Sequence, residues 1–255
     1  MKGVATAILL LLFSATANAD VLTVAVAANF RAAAESIAQH FSAQSEHPVR
    51  IVSGSTGKLY AQIVNGAPFD VFLSADQCTA HALGIADAAI AKTQTTYAIG
   101  TLAYWSVAQP TQTEPDWPAM RRLALANPRT APYGAAAHDV IDALVGDARN
   151  TRYVQAENVA QVYQFITSGN VDGGFVALSQ LKQSEHLGAS VYWLIPQTLH
   201  RPIVQDAIIT KRGAQNPAAA AFLSFLRSDA TQRVLQDYGY VTAPSHANRA
   251  NERCR

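Results

Sequence analysis

The sequence predicts an α/β protein of two lobes, each a mostly parallel sheet flanked by helices, with a ligand cleft between them. Short apolar runs alternate with helical patterns along the chain, which is typical of strands joined by crossover helices. Four times an apolar strand gives way to a small or polar residue at a helix start: at Asn29, Thr56, Tyr133 and Val159. Two of these junctions lie in the N-terminal half and two lie farther along. This layout indicates two domains that offer helix N-termini to a shared anion.

Residues 51–76 contain the clearest strand–helix–strand unit. A β-branched run stops at the Gly-, Ser- and Thr-rich loop 53–57, and a helical pattern follows with Leu59 and Ile63 one turn apart. A second apolar run spans residues 71–73. We expect the loop to present backbone N–H groups and hydroxyls at the positive end of the helix, which suits an anion.

That loop is not a nucleotide-binding P-loop. A Walker A motif ends in Gly-Lys-Ser/Thr, whereas here Gly57-Lys58 is followed by Leu59, and Val52 stands where the first glycine is required.

The remaining elements follow from apolar runs and helical stripes. Predicted strands span residues 21–27, 49–52, 71–73, 95–107 (with a break at Gly100), 123–126, 153–155, 174–177, 191–195 and 202–210. Predicted helices span residues 30–41, 59–64, part of 77–91, 131–145, 159–166, 219–226 and 230–237.

Two polar residues at predicted junctions have more than one interpretation. Asn29 is a good N-cap residue, but it also lies at the carboxyl end of a strand, where α/β sheets bind ligands, so its amide is equally suited to point at one. Asp70 is better suited to a structural turn than to catalysis.

The strand pattern also divides the chain into lobes. The break at Gly100 suits a strand that passes from one domain to the other, and the run 202–210 is long enough to return the chain. We therefore assign residues 20–98 and 205–244 to lobe I, residues 99–204 to lobe II, and residues 245–255 to a flexible C-terminal tail.

The first nineteen residues are predicted to be a secretory signal peptide. Lys2 supplies the positive end, residues 4–13 the apolar core and residues 17–19 a small-residue cleavage site. The apolar core is too short to span a bilayer. We expect export to the periplasm and a mature chain that starts at Asp20.

Charge and metal-ligand spacing exclude two classes of function. The formal net charge is +1 with scattered basic residues, which argues against nucleic-acid binding. The seven histidines are dispersed without metal-ligand spacing, so we expect no directly coordinated metal ion and no cofactor. A bridge between Cys78 and Cys254 is allowed in an oxidising compartment, but spacing does not establish it.

Four runs resemble the periplasmic molybdate-binding proteins of ABC importers: residues 24–30 (VAVAANF), 53–75 (SGSTGKLYAQIVNGAPFDVFLSA), 127–134 (NPRTAPYG) and 174–178 (GFVAL). The resemblance extends from residue 21 to about residue 241. It implies a type II periplasmic binding fold, with two crossing strands and molybdate or tungstate in the cleft. It further implies a monomeric, non-enzymatic protein whose partner is the membrane permease of an ABC importer.

The resemblance also implies the ligand residues. In lobe I the ligands are a side chain after the first strand and a hydroxyl after the second strand. In both cases the preceding residue also contributes to the site. In lobe II the ligands are two backbone amides. Carried over by position, the residues are Asn29 with Ala28, Thr56 with Ser55, and Tyr133 and Val159.

Two positions depart from the family pattern. Ala28 stands where many members have Ser or Thr, and no tyrosine occurs near Ala177, where some members supply a hydroxyl. Fewer side-chain donors leave more of the binding to backbone amides.

The chemistry of these residues agrees with a fully deprotonated oxyanion. Molybdate and tungstate only accept hydrogen bonds, and amides and hydroxyls donate them. Because none of the ligand positions carries Asp or Glu, a site for hydrogen phosphate, which needs an acceptor for its proton, is disfavoured. Sulfate must be excluded by cavity size.

Two alternatives remain open from sequence. The same fold binds other ligands, such as sulfate, another oxyanion or a ferric-anion complex. A secreted hydrolase using Ser74, His81 and Asp76 is a remote alternative, because the chain lacks a Gly-x-Ser-x-Gly nucleophile elbow around that serine.

Overall fold

The computed structural model describes residues 21–145, 151–183, 191–242 and Cys254. The predicted signal peptide, residues 1–19, lies outside the described residues, as does the predicted tail except Cys254. The strands are β1 Leu22–Ala27, β2 Val49–Gly54, β3 Val71–Leu73, β4 Thr95–Gly100, β5 Leu102–Trp105, β6 Arg122–Ala126, β7 Arg152–Ala156, β8 Gly173–Ala177, β9 Tyr192–Leu194 and β10 Ile203–Ile209. The helices are α1 Arg31–Ser45, α2 Thr56–Val64, α3 Gln77–Ile85, α4 Pro132–Val140, α5 Val159–Thr167, α6 Leu178–Lys182, α7 Pro217–Phe225 and α8 Asp229–Asp237.

The first sheet has the strand order β2-β1-β3-β10-β4. Strand β1 pairs in parallel with β2 and β3, and β10 pairs antiparallel with β3 and β4. Every residue of β1 is buried, since one face packs on Phe30 and Phe222 and the other on Leu59 and Leu83. Burial on both faces explains why β1 is a continuous apolar run in the sequence.

The second sheet has the order β7-β6-β8-β5-β9 and its own apolar core. Strand β6 pairs in parallel with β7 and β8, whereas β5 pairs antiparallel with β8 and β9. Two sheets, each covered by helices, confirm the predicted two-lobed α/β fold. No helix in the described ranges has the length and apolar character needed to cross a membrane.

The chain passes between the two sheets at the predicted break. Strand β4 ends at Gly100 in the first sheet, and β5 begins at Leu102 in the second. The return strand β10 pairs with β4, with Ile203 opposite Gly100. The boundaries that we assigned at residues 98/99 and 204/205 therefore fall within two paired strands. The register between them shifts between Gln205 and Asp206.

Three local expectations were wrong in detail. Strand β2 continues to Gly54 and α2 begins at Thr56, so the expected loop 53–57 is reduced to Ser55, because β2 continues its pairing with β1 through Gly54. The apolar run 191–195 predicts a buried strand, but the structure has the edge strand β9 there, whose Leu194 is 48% exposed. The predicted helix 131–145 is α-helical only to Val140 and continues in a wider, π-helical turn.

A disulfide joins Cys78, in the first turn of α3, to Cys254, 176 residues later, with the two Cα atoms 5.2 Å apart. The sequence left this pairing open. It attaches the C-terminal end of the chain to the first lobe beside the cleft.

Candidate functional site

A small cavity lies between the lobes, at the carboxyl ends of their parallel strands. It encloses about 200 Å³, including its opening to solvent. The structure brings all six predicted site residues to this cavity, together with three alanines, one proline and one asparagine. Its lining residues are Ala27, Ala28, Asn29, Ser55, Thr56, Ala75, Ala131, Pro132, Tyr133, Asn158 and Val159. None of these residues carries a charge, so the donors available to a ligand are amides and hydroxyls.

Ser55 and Thr56 form the first-lobe wall at the start of α2. Ser55 occupies the N-cap position of α2 but makes no side-chain capping bond, and its hydroxyl is buried without a hydrogen-bond partner. The Thr56 hydroxyl accepts a long hydrogen bond, 3.4 Å, from the Ala75 backbone N–H. Both hydroxyls therefore retain a proton that the ligand can accept.

Asn29 lies in a single 3-10 turn between β1 and α1. Its side chain does not cap α1, which follows Phe30 and has no side-chain cap. The interpretation that Asn29 only caps the helix is therefore wrong. Its side-chain N–H₂ donates instead to Gln205 Oε1 at 2.9 Å and to the Tyr240 hydroxyl at 3.2 Å.

The second-lobe wall consists of two helix N-termini. Tyr133 lies in the first turn of α4, behind Pro132, and Val159 is the first residue of α5, where Asn158 caps the helix by accepting from two backbone N–H groups. The first N–H groups of a helix have no partner within the helix, and the helix dipole makes them favourable for an anion.

The Tyr133 ring reaches from the second lobe to the crossing strands. Its hydroxyl is buried and makes no hydrogen bond, although the Asn29 and Gln205 carboxamides lie beside it. A Cβ atom added at Gly100 would be 2.1 Å from this hydroxyl, so only glycine fits there. Burial raises the pKa of Tyr133 well above its ordinary value, so the hydroxyl stays protonated.

Direct contacts close the seam between the lobes around the cavity. The Gly57 N–H donates to the Thr130 carbonyl at 2.9 Å, and the Ser179 hydroxyl donates to the Asn29 carbonyl at 2.8 Å. At the surface, Lys58 forms an ion pair with Glu157 at 2.7 Å. A larger hollow of about 690 Å³, including open solvent, adjoins the cavity and shares three of its lining residues.

Two of the three residues of the hydrolase alternative, Ser74 and Asp76, make hydrogen bonds within the local structure. The Ser74 hydroxyl accepts from the Asp76 N–H, and the Asp76 carboxylate caps α3 by accepting from the Thr79 N–H and hydroxyl. Burial raises the pKa of Asp76. Asp70 also has a structural environment, since its carboxylate accepts from the Thr23 N–H and from Arg212.

A resident metal ion has no candidate ligands in the part of the chain that the structure describes, where no group of three or more His, Cys, Asp or Glu side chains is suitably placed.

Sequence reasoning missed the residues that support Asn29. Gln205 and Tyr240 lie 176 and 211 residues from Asn29 along the chain, and Ser179 reaches it from the other lobe. A single sequence carries no signal that pairs such distant positions.

Comparisons with known proteins agree with this geometry. The profile of the bacterial extracellular solute-binding protein family matches residues 22–241. The molybdate-binding protein ModA of Azotobacter vinelandii is 40% identical over 235 residues, covering 90% of this chain and 93% of the relative. The ModA protein of Rhodobacter capsulatus is 38% identical over 248 residues, covering 95% and 97%. The solved structure of an Azotobacter vinelandii periplasmic molybdate-binding protein superposes with a TM-score of 0.80 at 37% identity, covering 88% of this chain and all of the other.

Proposed function

The chain belongs to the bacterial extracellular solute-binding protein family, and we propose that it captures molybdate or tungstate between its lobes and delivers the anion to an ABC importer. The observation that carries this proposal is the composition of the interlobe cavity. Its wall combines the N-termini of α2, α4 and α5 with two hydroxyls, and none of its lining residues is an acid or a base.

This wall suits a tetrahedral dianion that accepts hydrogen bonds and donates none. Helix N-termini attract negative charge, and hydroxyl and amide protons satisfy the oxyanion oxygens. A lining carboxylate would repel the dianion, and it would also be the natural acceptor for the proton of hydrogen phosphate. The absence of Asp and Glu among the lining residues therefore favours a fully deprotonated anion. The names of the relatives support molybdate within that class.

The proposed ligand residues are the six that the sequence analysis identified. Asn29, Ser55 and Thr56 contribute from the first lobe, with Ala28 beside them. Tyr133 and Val159 contribute backbone N–H groups from the second. Neither lobe alone completes the shell, so the bound anion favours the closed arrangement.

Several further properties are part of the proposal. The protein acts in the periplasm as a monomer, needs no cofactor, and binds the metal only as its oxyanion. Its partner is a membrane permease, which recognises the two lobe surfaces in the relative position that they have in the closed form. The relatives with printed function are binding proteins, which supports binding without catalysis.

Isothermal titration of the mature chain tests the proposal. We expect one molybdate or tungstate per chain, with sulfate and phosphate binding far more weakly. The same preparation assayed for hydrolysis of ester and phosphate substrates should show no turnover. Equal affinity for all four anions would refute the specificity, and turnover without anion binding would favour the hydrolase alternative.

A further inference from the structure

The carboxamide of Asn29 directs both of its N–H groups at the protein. Nδ2 donates to Gln205 Oε1 at 2.9 Å and to the Tyr240 hydroxyl at 3.2 Å. A primary amide has two N–H donors, so this arrangement leaves no side-chain donor of Asn29 for an anion. Yet Asn29 lines the cavity and is 5% exposed.

Two buried polar atoms next to this carboxamide have no partner. Gln205 is completely buried, and its Nε2 makes no hydrogen bond; the Tyr133 hydroxyl is in the same state. Both atoms lie over Gly100, where an added Cβ would be 2.8 Å from Gln205 Nε2 and 2.1 Å from the Tyr133 hydroxyl. Buried donors without acceptors are costly and need an explanation.

A half-turn of both carboxamides gives Gln205 Nε2 a partner and turns an acceptor toward the Tyr133 hydroxyl. The half-turn exchanges the oxygen and nitrogen of Asn29 and of Gln205. Gln205 Nε2 then donates to Asn29 Oδ1, and Gln205 Oε1 takes the position beside the Tyr133 hydroxyl. The Tyr97 hydroxyl, which lies 3.0 Å from Gln205 Oε1 and 3.3 Å from the Ser74 carbonyl, directs its proton to the carbonyl.

The same half-turn releases the N–H₂ of Asn29 from Gln205. The Tyr240 hydroxyl does not depend on the hydrogen bond from Asn29 Nδ2. It donates to the Asn29 carbonyl at 2.7 Å and lies 3.0 Å from the Ser179 hydroxyl. The side chain of Asn29 can then donate to a ligand in the cavity.

We propose that Gln205 is a positioning residue of the anion site: in the second arrangement its Nε2 donates to Asn29 Oδ1 and holds the Asn29 N–H₂ toward the cavity. The inference rests on the proposed function, because a dianion in the cavity supplies the acceptor for the Asn29 N–H₂. Gln205 belongs to a crossing strand and Tyr133 to the second lobe. The Asn29–Gln205 contact therefore connects the anion site to a strand that joins the two lobes.

The first test replaces Gln205 by methionine, which has similar length and no hydrogen-bonding amide. Gln205→Met should bind molybdate roughly tenfold to hundredfold more weakly than wild type. Because methionine also removes the acceptor of the Asn29 and Tyr97 donors, the melting temperature should fall too, and the affinity is compared with that of a control variant that is also destabilised. The control is Gln94→Met, which removes a carboxamide that donates to the buried Asp206 and lines no part of the cavity. The control should lower the melting temperature and keep the affinity.

The second test observes the wild-type side chains directly. In ¹⁵N-labelled protein, the side-chain amide resonances of Asn29 and Gln205, identified by their loss in Asn29→Asp and Gln205→Met, should both shift on adding molybdate. Gln205→Met should show no comparable Asn29 shift. Wild-type binding without a shift at Gln205, or unchanged affinity in Gln205→Met, would overturn the positioning role alone. Absence of molybdate binding by wild type would overturn the proposed function, and the inference with it.

Discussion

Gly57 in the first lobe donates its backbone N–H to the carbonyl of Thr130 in the second, at 2.9 Å. A Cβ on Gly57 would be 3.1 Å from Thr130 Cα, closer than ordinary van der Waals contact. Gly57 is the second residue of α2, where alanine is a better helix former than glycine. A larger side chain there therefore opposes the closed seam without weakening the helix.

We expect Gly57→Val to bind molybdate more weakly by about 1–3 kcal/mol, the cost of overpacking a tight contact, or roughly fivefold to a hundredfold. Gly57→Ala should have a smaller effect in the same direction. Titration calorimetry measures both. Ala61→Val places the same valine side chain at an exposed position of α2 and should leave affinity unchanged. If Gly57→Val bound molybdate with wild-type affinity, closure of the lobes would not require the close contact between Gly57 and Thr130.

The Ser55 hydroxyl should matter for binding and not for folding. It is buried in the cavity wall without a partner, so Ser55→Ala removes no hydrogen bond of the anion-free protein. Loss of one hydrogen bond to a charged ligand costs about 1.5–3 kcal/mol, roughly tenfold to hundredfold in affinity. The melting temperature of the anion-free variant should be unchanged or higher.

Thr56→Val is the informative comparison for that variant. It removes a hydroxyl that accepts from the Ala75 N–H, so it should lower both the affinity and the anion-free melting temperature. Full affinity in both variants would mean that backbone amides alone bind the anion at this wall.

The Cys78–Cys254 disulfide should stabilise the chain. A bridge between residues 176 apart restricts the unfolded chain strongly, and removal of a native disulfide typically costs about 2–5 kcal/mol. We expect the double variant Cys78→Ser, Cys254→Ser to unfold at lower urea concentration than wild type. Reductant should lower the wild-type midpoint and leave the double variant unchanged. An unchanged wild-type midpoint in reductant would contradict the stabilising role.

Asp206 should make stability depend on pH. Its carboxylate is completely buried in the first sheet, and burial raises its pKa despite hydrogen bonds from Thr96, Gln94 and Gln77. Between the unfolded pKa, about 3.9, and the raised folded pKa, the native state binds more protons than the unfolded state. The contribution of Asp206 to stability therefore falls as pH rises through this window.

Urea unfolding of wild type and Asp206→Asn between pH 7 and pH 4 tests this sign. The wild type should gain stability relative to the variant as pH falls. The pKa of the nearby Asp76 is also raised, mainly by burial, but Asp76 is present in both proteins, so its titration largely cancels in the comparison. A difference that stays constant, or that grows in the opposite direction, would mean that the Asp206 carboxyl is not destabilised by its burial.

Much of the fold follows from local patterns. The stripe Phe30, Ala33, Ala34, Ile37 and Phe41 is buried against the first sheet, as helical periodicity predicts. The break at Gly100 separates two strands of different sheets. Asparagine is a favoured N-cap residue, and Asn158, just before the predicted helix 159–166, caps α5 through its side chain. These features depend on residues a few positions apart, which is the range over which a single sequence is informative.

Features that depend on distant partners were not predictable. Ser53 and Gly54 have low strand propensity, yet they extend β2 because they pair with Val26 and Ala27. The contact of Asn29 with Gln205 depends on how the return strand lies beside β4, which no local pattern records. The positions of the six site residues came from family resemblance, and their role in binding stays a prediction.

Small-angle scattering of the mature chain with and without saturating molybdate tests the central claim, that two lobes close around an oxyanion, most directly. If neither lobe completes the site alone, the anion favours the closed form by its higher affinity for it. The account predicts a smaller radius of gyration with molybdate than without, and a smaller change for Gly57→Val. An identical radius of gyration in both states of the wild type, with binding established by titration, would contradict it.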